Sequence, residues 1–442
     1  MQSQKLIAAI IGCLLIVACL PALAQKSSVG EIVAGDEPWL IEIFKTLHAN
    51  SELSMQETKT AALVAKESKA LGFEVQTGIG KTGVVGVMKN GAGPVIMFRA
   101  DMDALPVKEE TGLPYASSKA GKTLDGIESG IMHACGHDAH VTCLIGTAKV
   151  MAQLKAQWSG TLVVVAQPAE EAFNGAATMV SDGLYPKMPE PSVVFASHTN
   201  PLWPARSVGM GPGRRMAGAD QLDVTIKGIG GHGSTPHTSK EPIVMSAQAI
   251  MAYQTIVSRR MDQTEPVVLT GGAIQAGTIN NIIPDQAQLK LSLRWYSREA
   301  RDQMIAMIEQ VTNAIAVGNG MPADRMPAYA ITQTVSAVIN DDGLVAIARP
   351  ALVAALGKDN VYPGVPMQTG SEDFQMLGDP VKGVKIVHME VGVAKPEVLA
   401  AFMKSGAMPP YMNHHPKFQV ELPAIAAGVK ANAAVLLVLL AK

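Results

Sequence analysis

Three short, uninterrupted apolar runs constrain this chain most, because each is followed at once by side chains that can bind metal or move protons. Pro94-Val95-Ile96-Met97-Phe98-Arg99 leads to Asp101-Met102-Asp103, Thr161-Leu162-Val163-Val164-Val165-Ala166 leads to Gln167-Pro168-Ala169-Glu170-Glu171, and Val193-Val194-Phe195-Ala196 leads to Ser197-His198-Thr199. Strands apolar on both faces mark a buried parallel sheet. A helical pattern over residues 141–154 between the first two runs completes a strand-helix-strand order. That order implies an α/β fold with a mostly parallel sheet flanked by helices, whose ligands gather at the carboxyl ends of the strands.

The rest of the chain divides around this core. Residues 33–71 carry apolar positions at helical spacing, broken by Ser51 and Ser54, which predicts two helices, and residues 75–86 alternate as one strand. From Arg214 onward, Leu222, Val224 and Ile226, and later Leu289, Leu291 and Leu293, alternate with polar neighbours, as strands of a one-sided antiparallel sheet do. Helical patterns cover 242–259 and 299–317. An α+β insertion over 214–334 therefore interrupts a catalytic domain built from 25–213 and 335–442, which resumes with a helix over 342–356 and ends in one over 423–440. A chain of 442 residues suits two such domains.

Composition narrows the partners. The 36 basic and 38 acidic residues leave a formal charge of −2, which gives no long-range attraction for nucleic acid or anionic lipid, so a small molecule is the expected partner. Lys5, the apolar stretch up to Leu20, and Ala22 and Ala24 read as an export signal over residues 1–24, predicting a periplasmic or secreted protein. Ile16-Val17-Ala18-Cys19 also resembles a lipobox, which would instead leave a lipid anchor on Cys19. Without residues 1–24, Cys135 and Cys143 are the remaining thiols. On one helix they would sit about 12 Å apart, beyond disulfide reach. A thiol in an oxidising compartment needs an explanation, and metal ligation supplies one.

The densest chemistry is His133-Ala134-Cys135-Gly136-His137-Asp138-Ala139-His140. Cys and His are preferred ligands of zinc and similar ions, and Gly136 permits a sharp backbone path that lets Cys135 and His137 converge. The plainer account is a helix start with satisfied polar groups. Glu170 and Glu171, adjacent on an extended chain, point to opposite sides, so one could bind metal while the other faces an attacking water; a solvated acidic loop is the alternative. His198 gains weight from following a strand, whereas spacing does not rank His414 against His415. In the insertion, glycines surround His232, either as a turn or as backbone that lets a ligand approach an electrophilic imidazole.

Together with Arg99-Ala100-Asp101-Met102-Asp103-Ala104-Leu105-Pro106 and Gly370-Ser371-Glu372-Asp373-Phe374, these segments resemble the M20 metallopeptidase family, in its amidohydrolase branch of aminoacylases, hippurate hydrolases and auxin-conjugate hydrolases. The resemblance implies hydrolysis of the amide bond of N-acyl amino acids or small peptides with two divalent ions, Zn, Mn, Ni or Co. Cys135, His137, Glu171, His198 and His414 would be the ligands, Glu170 the general base and Asp103 a residue that orients a ligand. His232 would serve the oxyanion site. Asn281, Arg294 and Gly370 would hold substrate, Arg294 by pairing with its carboxylate. The insertion would act as a lid and mediate a homodimer. Asp101 and Cys135 stand where the wider family has a metal-binding histidine and a bridging aspartate, as they do throughout this branch. Residues 394–412 have no clear counterpart. A dipeptidase or carboxypeptidase of the same family, a non-catalytic ligand-binding protein and an enzyme using Cys135 as a nucleophile are the rivals.

Overall fold

The computed structural model describes residues 28–362, 366–406 and 411–442, so the expected export signal and Cys19 lie outside the described residues. An eight-stranded sheet runs in the order Glu74–Ile79, Gly83–Asn90, Gly160–Gln167, Val95–Asp101, Val193–Pro204, Lys385–Ala394, Val208–Gly209, Val361–Tyr362. Its four central strands are parallel: Ile96 pairs with both Leu162 and Val193, and Val387 with Phe195. As the apolar runs require, both faces are covered. Phe98, Val164 and Phe195 pack with the helices Thr58–Ala70, His137–Gln153, Asp342–Leu356 and Pro423–Leu439, while Met97, Val163 and Val194 pack with Met179, Leu184 and Phe374.

Two longer elements of this sheet differ from the sequence expectation. Residues 75–86 form a hairpin, Glu74–Ile79 against Gly83–Asn90, rather than one strand. The turn places Gly80 and Lys81 at φ 62° and 83°, and a Cβ on Gly83 would lie 2.3 Å from the Ile79 carbonyl oxygen, so alternation continues through a reversal that the pattern hides. The second difference is Lys385–Ala394, a central strand that went unread because His388 and Glu390 interrupt its apolar character on one face.

The insertion forms a four-stranded antiparallel sheet in the order Val268–Ala276, Gln286–Trp295, Gly218–Lys227, Ala328–Val335. Leu222, Val224, Ile226, Leu289, Leu291 and Leu293 all point to one face and are buried beneath the helices Pro242–Thr255 and Arg298–Gly318. Ser297 caps the second helix by accepting the Ala300 N–H at 3.2 Å. The chain enters and leaves this layer through the paired strands Gly213–Met216 and Val338–Asn340. Among the described residues, no helix is long and apolar enough to cross a membrane.

Candidate metal centre

Adjacent strand ends deliver most of the site. Val95–Asp101 carries Asp101, with Asp103 two residues on, Gly160–Gln167 leads into Glu170 and Glu171, and Val193–Pro204 contains His198. Helix His137–Gln153 begins beside them, behind Gly136 at φ 86°. A Cβ on Gly136 would lie 2.7 Å from Thr199 Oγ1 and 2.8 Å from its Cγ2, so only glycine turns the chain here and leaves Cys135 and His137 side by side. Cys135 thus stands just before the helix N-terminus, beside the first-turn His137. His414 arrives from the C-terminal segment at φ 69°, its N–H donating to the Ala134 carbonyl at 2.7 Å. Ala169, before the glutamate pair, is also left-handed at φ 49°. Such non-glycine conformations collect at functional sites.

The five side chains expected as ligands meet. Candidate ligand atoms of Cys135, His137 and Glu171 all lie within 4.8 Å of one another. His414 Nε2 is 3.3 Å from Glu171 Oε1, and His198 Nε2 is 3.5 Å from Cys135 Sγ. His137 is buried with neither ring nitrogen hydrogen-bonded, and Glu171 Oε1 is likewise buried without a hydrogen bond. Leaving such atoms unmatched costs about 1–3 kcal/mol each.

Carboxylates dominate the field around His137. Burial opposes charge on His137, yet Asp101 and Asp103 overcome it and raise its pKa well above the usual imidazole range. Sulfur, imidazole and carboxylate donors within this distance are the kind that hold zinc and similar ions, and a bound ion would give the unmatched atoms a partner. Burial, with His140 and His137 nearby, holds His198 well below its usual range. Its Nδ1 faces the Thr199 carbonyl at 2.8 Å, so a neutral ring turns Nε2 towards Cys135.

Surrounding groups fix these positions. Asp103 accepts the backbone N–H groups of Glu170 and Glu171, both at 3.1 Å, and the Ser54 hydroxyl at 2.6 Å. His140 accepts the Thr199 N–H on Nε2 at 2.8 Å and meets Asp101 through Nδ1 at 2.6 Å, so both its nitrogens are occupied and it braces the site rather than offering a ligand. Buried Arg99 pairs with Asp101 and Glu372, each at 2.8 Å, and bonds to Gln167. Glu57 accepts the N–H groups of Met55 and Ala169, both at 2.9 Å, and tethers the turn before Glu170.

Glu170 and Glu171 fall in different side-chain groups. Glu171 joins Cys135 and His137, whereas Glu170 groups with Glu372 and Asp373 and lies 4.0 Å from His137 Nε2. Both line a cleft of about 750 Å³, along with Arg294 and Gly370. Arg294 donates to the Ser371 hydroxyl there. His232 and Asn281 are elsewhere: both are exposed, His232 pairs with Ile282 across a two-residue ribbon, and the Asn281 carbonyl accepts the Gly233 N–H. The sequence pattern carries no role for Arg99, Glu57, His388 or Glu390, nor for Asn413, whose Nδ2 donates to Cys135 Sγ at 3.2 Å. Arg99 had a signal, a charge inside an otherwise buried run. The distant Glu57 had none.

Comparison with known proteins agrees with this geometry. The pattern of peptidase family M20/M25/M40 matches residues 97–437. The hippurate hydrolase of Campylobacter jejuni is 38% identical over 331 residues, covering 74% of this chain and 82% of that protein. An N-acetylcysteine deacetylase of Bacillus subtilis is 34% identical over 346 residues, covering 78% and 86%. The crystal structure of Bacillus subtilis YXEP, described as a dinuclear metal-binding peptidase of family M20, superposes with a TM-score of 0.74 at 28% identity over 92% of this chain and 99% of that one. The fold and the site thus define a hydrolase of the amidohydrolase and peptidase kind. The chain belongs to peptidase family M20/M25/M40.

Proposed function

We propose that this protein hydrolyses the amide bond of N-acyl amino acids or small peptides, with Glu170 as general base beside two divalent ions held by Cys135, His137, Glu171, His198 and His414. The observation that carries this reading is the position of Glu170, buried on the wall of the cleft and next to the ligand cluster but outside it. Bound divalent ions supply Lewis acidity, which polarises a carbonyl and lowers the pKa of water. Glu170 takes the proton of the attacking water and returns it to the leaving nitrogen. Burial, reinforced by Glu372 and Glu171, raises its pKa well above the usual carboxyl range, which suits a group that must hold that proton between steps. Arg294 pairs with the substrate carboxylate against the wall that carries Gly370 and Ser371.

The insertion supplies the remaining group. His232 shares its exposed ribbon with Ile282, and Ile274, Ile279 and Met251 of the same domain are also exposed, so the domain leaves apolar side chains open that a second copy of the chain would cover. We propose a homodimer in which His232 from the lid reaches an oxyanion site, with Asn281 beside it against substrate. We also propose export, with removal of residues 1–24; the N-terminal sequence of protein recovered from the periplasm checks this.

The test is a hydrolysis screen of acetyl, benzoyl and peptidyl amino acids with enzyme reconstituted in Zn, Mn, Ni or Co. Wild type is expected to cleave at least one class, and Glu170→Gln to lose turnover while keeping its metal. Full activity in Glu170→Gln would overturn the assignment of the base. Activity that survives exhaustive chelation would overturn the metal mechanism and favour Cys135 as a nucleophile.

A further inference from the structure

The floor of the cleft holds a carboxylate that the proposed reaction does not use. Glu390 lies in register with His198 on the neighbouring parallel strand, so the two side chains leave the sheet on the same face from backbones about 4.8 Å apart. Its side chain is buried, yet it lines the cleft. Asn200 Nδ2 donates to Oε2 at 2.6 Å and Gln368 Nε2 donates to Oε1 at 2.5 Å. A carboxylate has about four acceptor positions, so each oxygen retains one. Two residues earlier on the same face, His388 also lines the cleft, and its Nε2 is buried without a partner.

This cluster has the character of a binding site. A buried carboxylate costs several kcal/mol unless charge or hydrogen bonds compensate it, and two neutral amides do so only in part. The charge of Arg215 also acts on Glu390, but Arg215 is not among the residues that line the cleft. Two open positions on Glu390 and one on His388, when its proton sits on Nδ1, make three acceptors. An alkylammonium group carries three donors.

Position selects the ammonium. A group held by Glu390 sits within about one strand spacing of a metal ligand, hence within a few bonds of the carbonyl under attack. The amino nitrogen of a dipeptide is one carbon from its scissile carbonyl. Arg294, the only lysine or arginine among the described residues that line the cleft, comes from the insertion instead, and accounts for the carboxylate at the other end of the substrate. Resting on the amide-hydrolase reading above, we infer that Glu390 and His388 bind the free α-amino group of the substrate, so that aminoacyl amino acids are preferred over neutral N-acyl amino acids.

Two substrate pairs test this on the metal-reconstituted enzyme. Alanyl-leucine and propionyl-leucine differ only in the α-amino group; acetyl-lysine and acetyl-norleucine differ only in a side-chain amino group. Wild type is expected to favour alanyl-leucine in kcat/KM by about tenfold or more, the effect of a hydrogen-bonded charge, with no comparable preference in the second pair. Glu390→Gln is expected to collapse the first ratio towards one. Equal kcat/KM for alanyl-leucine and propionyl-leucine in wild type overturns the inference and leaves the hydrolase reading standing, whether or not the variant folds. A preference confined to acetyl-lysine, or a first ratio that survives Glu390→Gln, also overturns it. Hydrolysis of none of the four overturns the inference, and the hydrolase reading falls with it only when benzoyl amino acids also resist cleavage.

Discussion

Asp103 accepts the backbone N–H of Glu170 at 3.1 Å, which ties the carboxyl end of one parallel strand to the residue proposed as base. The same carboxylate takes the Glu171 N–H and the Ser54 hydroxyl, so one side chain orients both the proposed base and a proposed ligand. Asp103→Ala is therefore expected to weaken metal binding by about 10–100-fold and to lower kcat as well, since groups behind metal ligands typically have that effect. Calorimetric metal titration beside steady-state kinetics checks this. Wild-type affinity in the variant would show that the loop holds its shape without Asp103.

Arg99 compensates carboxylates from two distant parts of the chain, Asp101 from its own strand and Glu372 and Asp373 from near the C-terminal third. All four residues are buried, so removing the guanidinium strands negative charge in the interior. Arg99→Met should destabilise the fold by about 3–5 kcal/mol, more than the loss of an ordinary surface ion pair. Urea denaturation of the metal-loaded protein measures it.

His48 makes stability depend on pH. Burial disfavours its charged form, but Asp138 at 2.6 Å from Nδ1 and Glu109 at 3.1 Å from Nε2 raise its pKa to about 10 from an ordinary 6.5. A group whose pKa is raised by folding contributes fully below its unfolded value and loses that contribution as pH climbs through the folded one. The melting temperature should accordingly fall as pH rises between 6.5 and about 10, and His48→Gln should flatten that limb.

The strand Val268–Ala276 is an open edge of the insertion sheet, and Ile274 on it is 54% exposed. Unprotected apolar edges of this kind pair with another chain. Light scattering after gel filtration should find a dimer for wild type and a shift towards monomer for Ile274→Lys. A wild-type monomer at micromolar concentration would leave His232 without its proposed carrier.

How much of this was legible in the sequence follows from how local each signal is. The central strands could be read because burial on both faces leaves an unbroken apolar run, as in Thr161 to Ala166, and the insertion because one-sided burial leaves alternation, as at Leu222, Val224 and Ile226. Cys135, Gly136 and His137 cluster within three residues because one turn positions them. Lys385–Ala394 escaped because His388 and Glu390 serve the cleft and so break the apolar pattern. Glu57 escaped because its role exists only once Ala169, far along the chain, is folded against it. The ranking of His414 over His415 came from resemblance, and only the folded chain brings His414 to Glu171.

The most direct test of the central claim, that these five side chains hold paired divalent ions, is the metal content per chain after stripping and reconstitution. Mass spectrometry of the loaded protein should give about two ions for wild type and fewer in Cys135→Ala and His198→Ala. Wild-type content in both variants would contradict the ligand set, and a wild type that binds no divalent ion would contradict the centre itself.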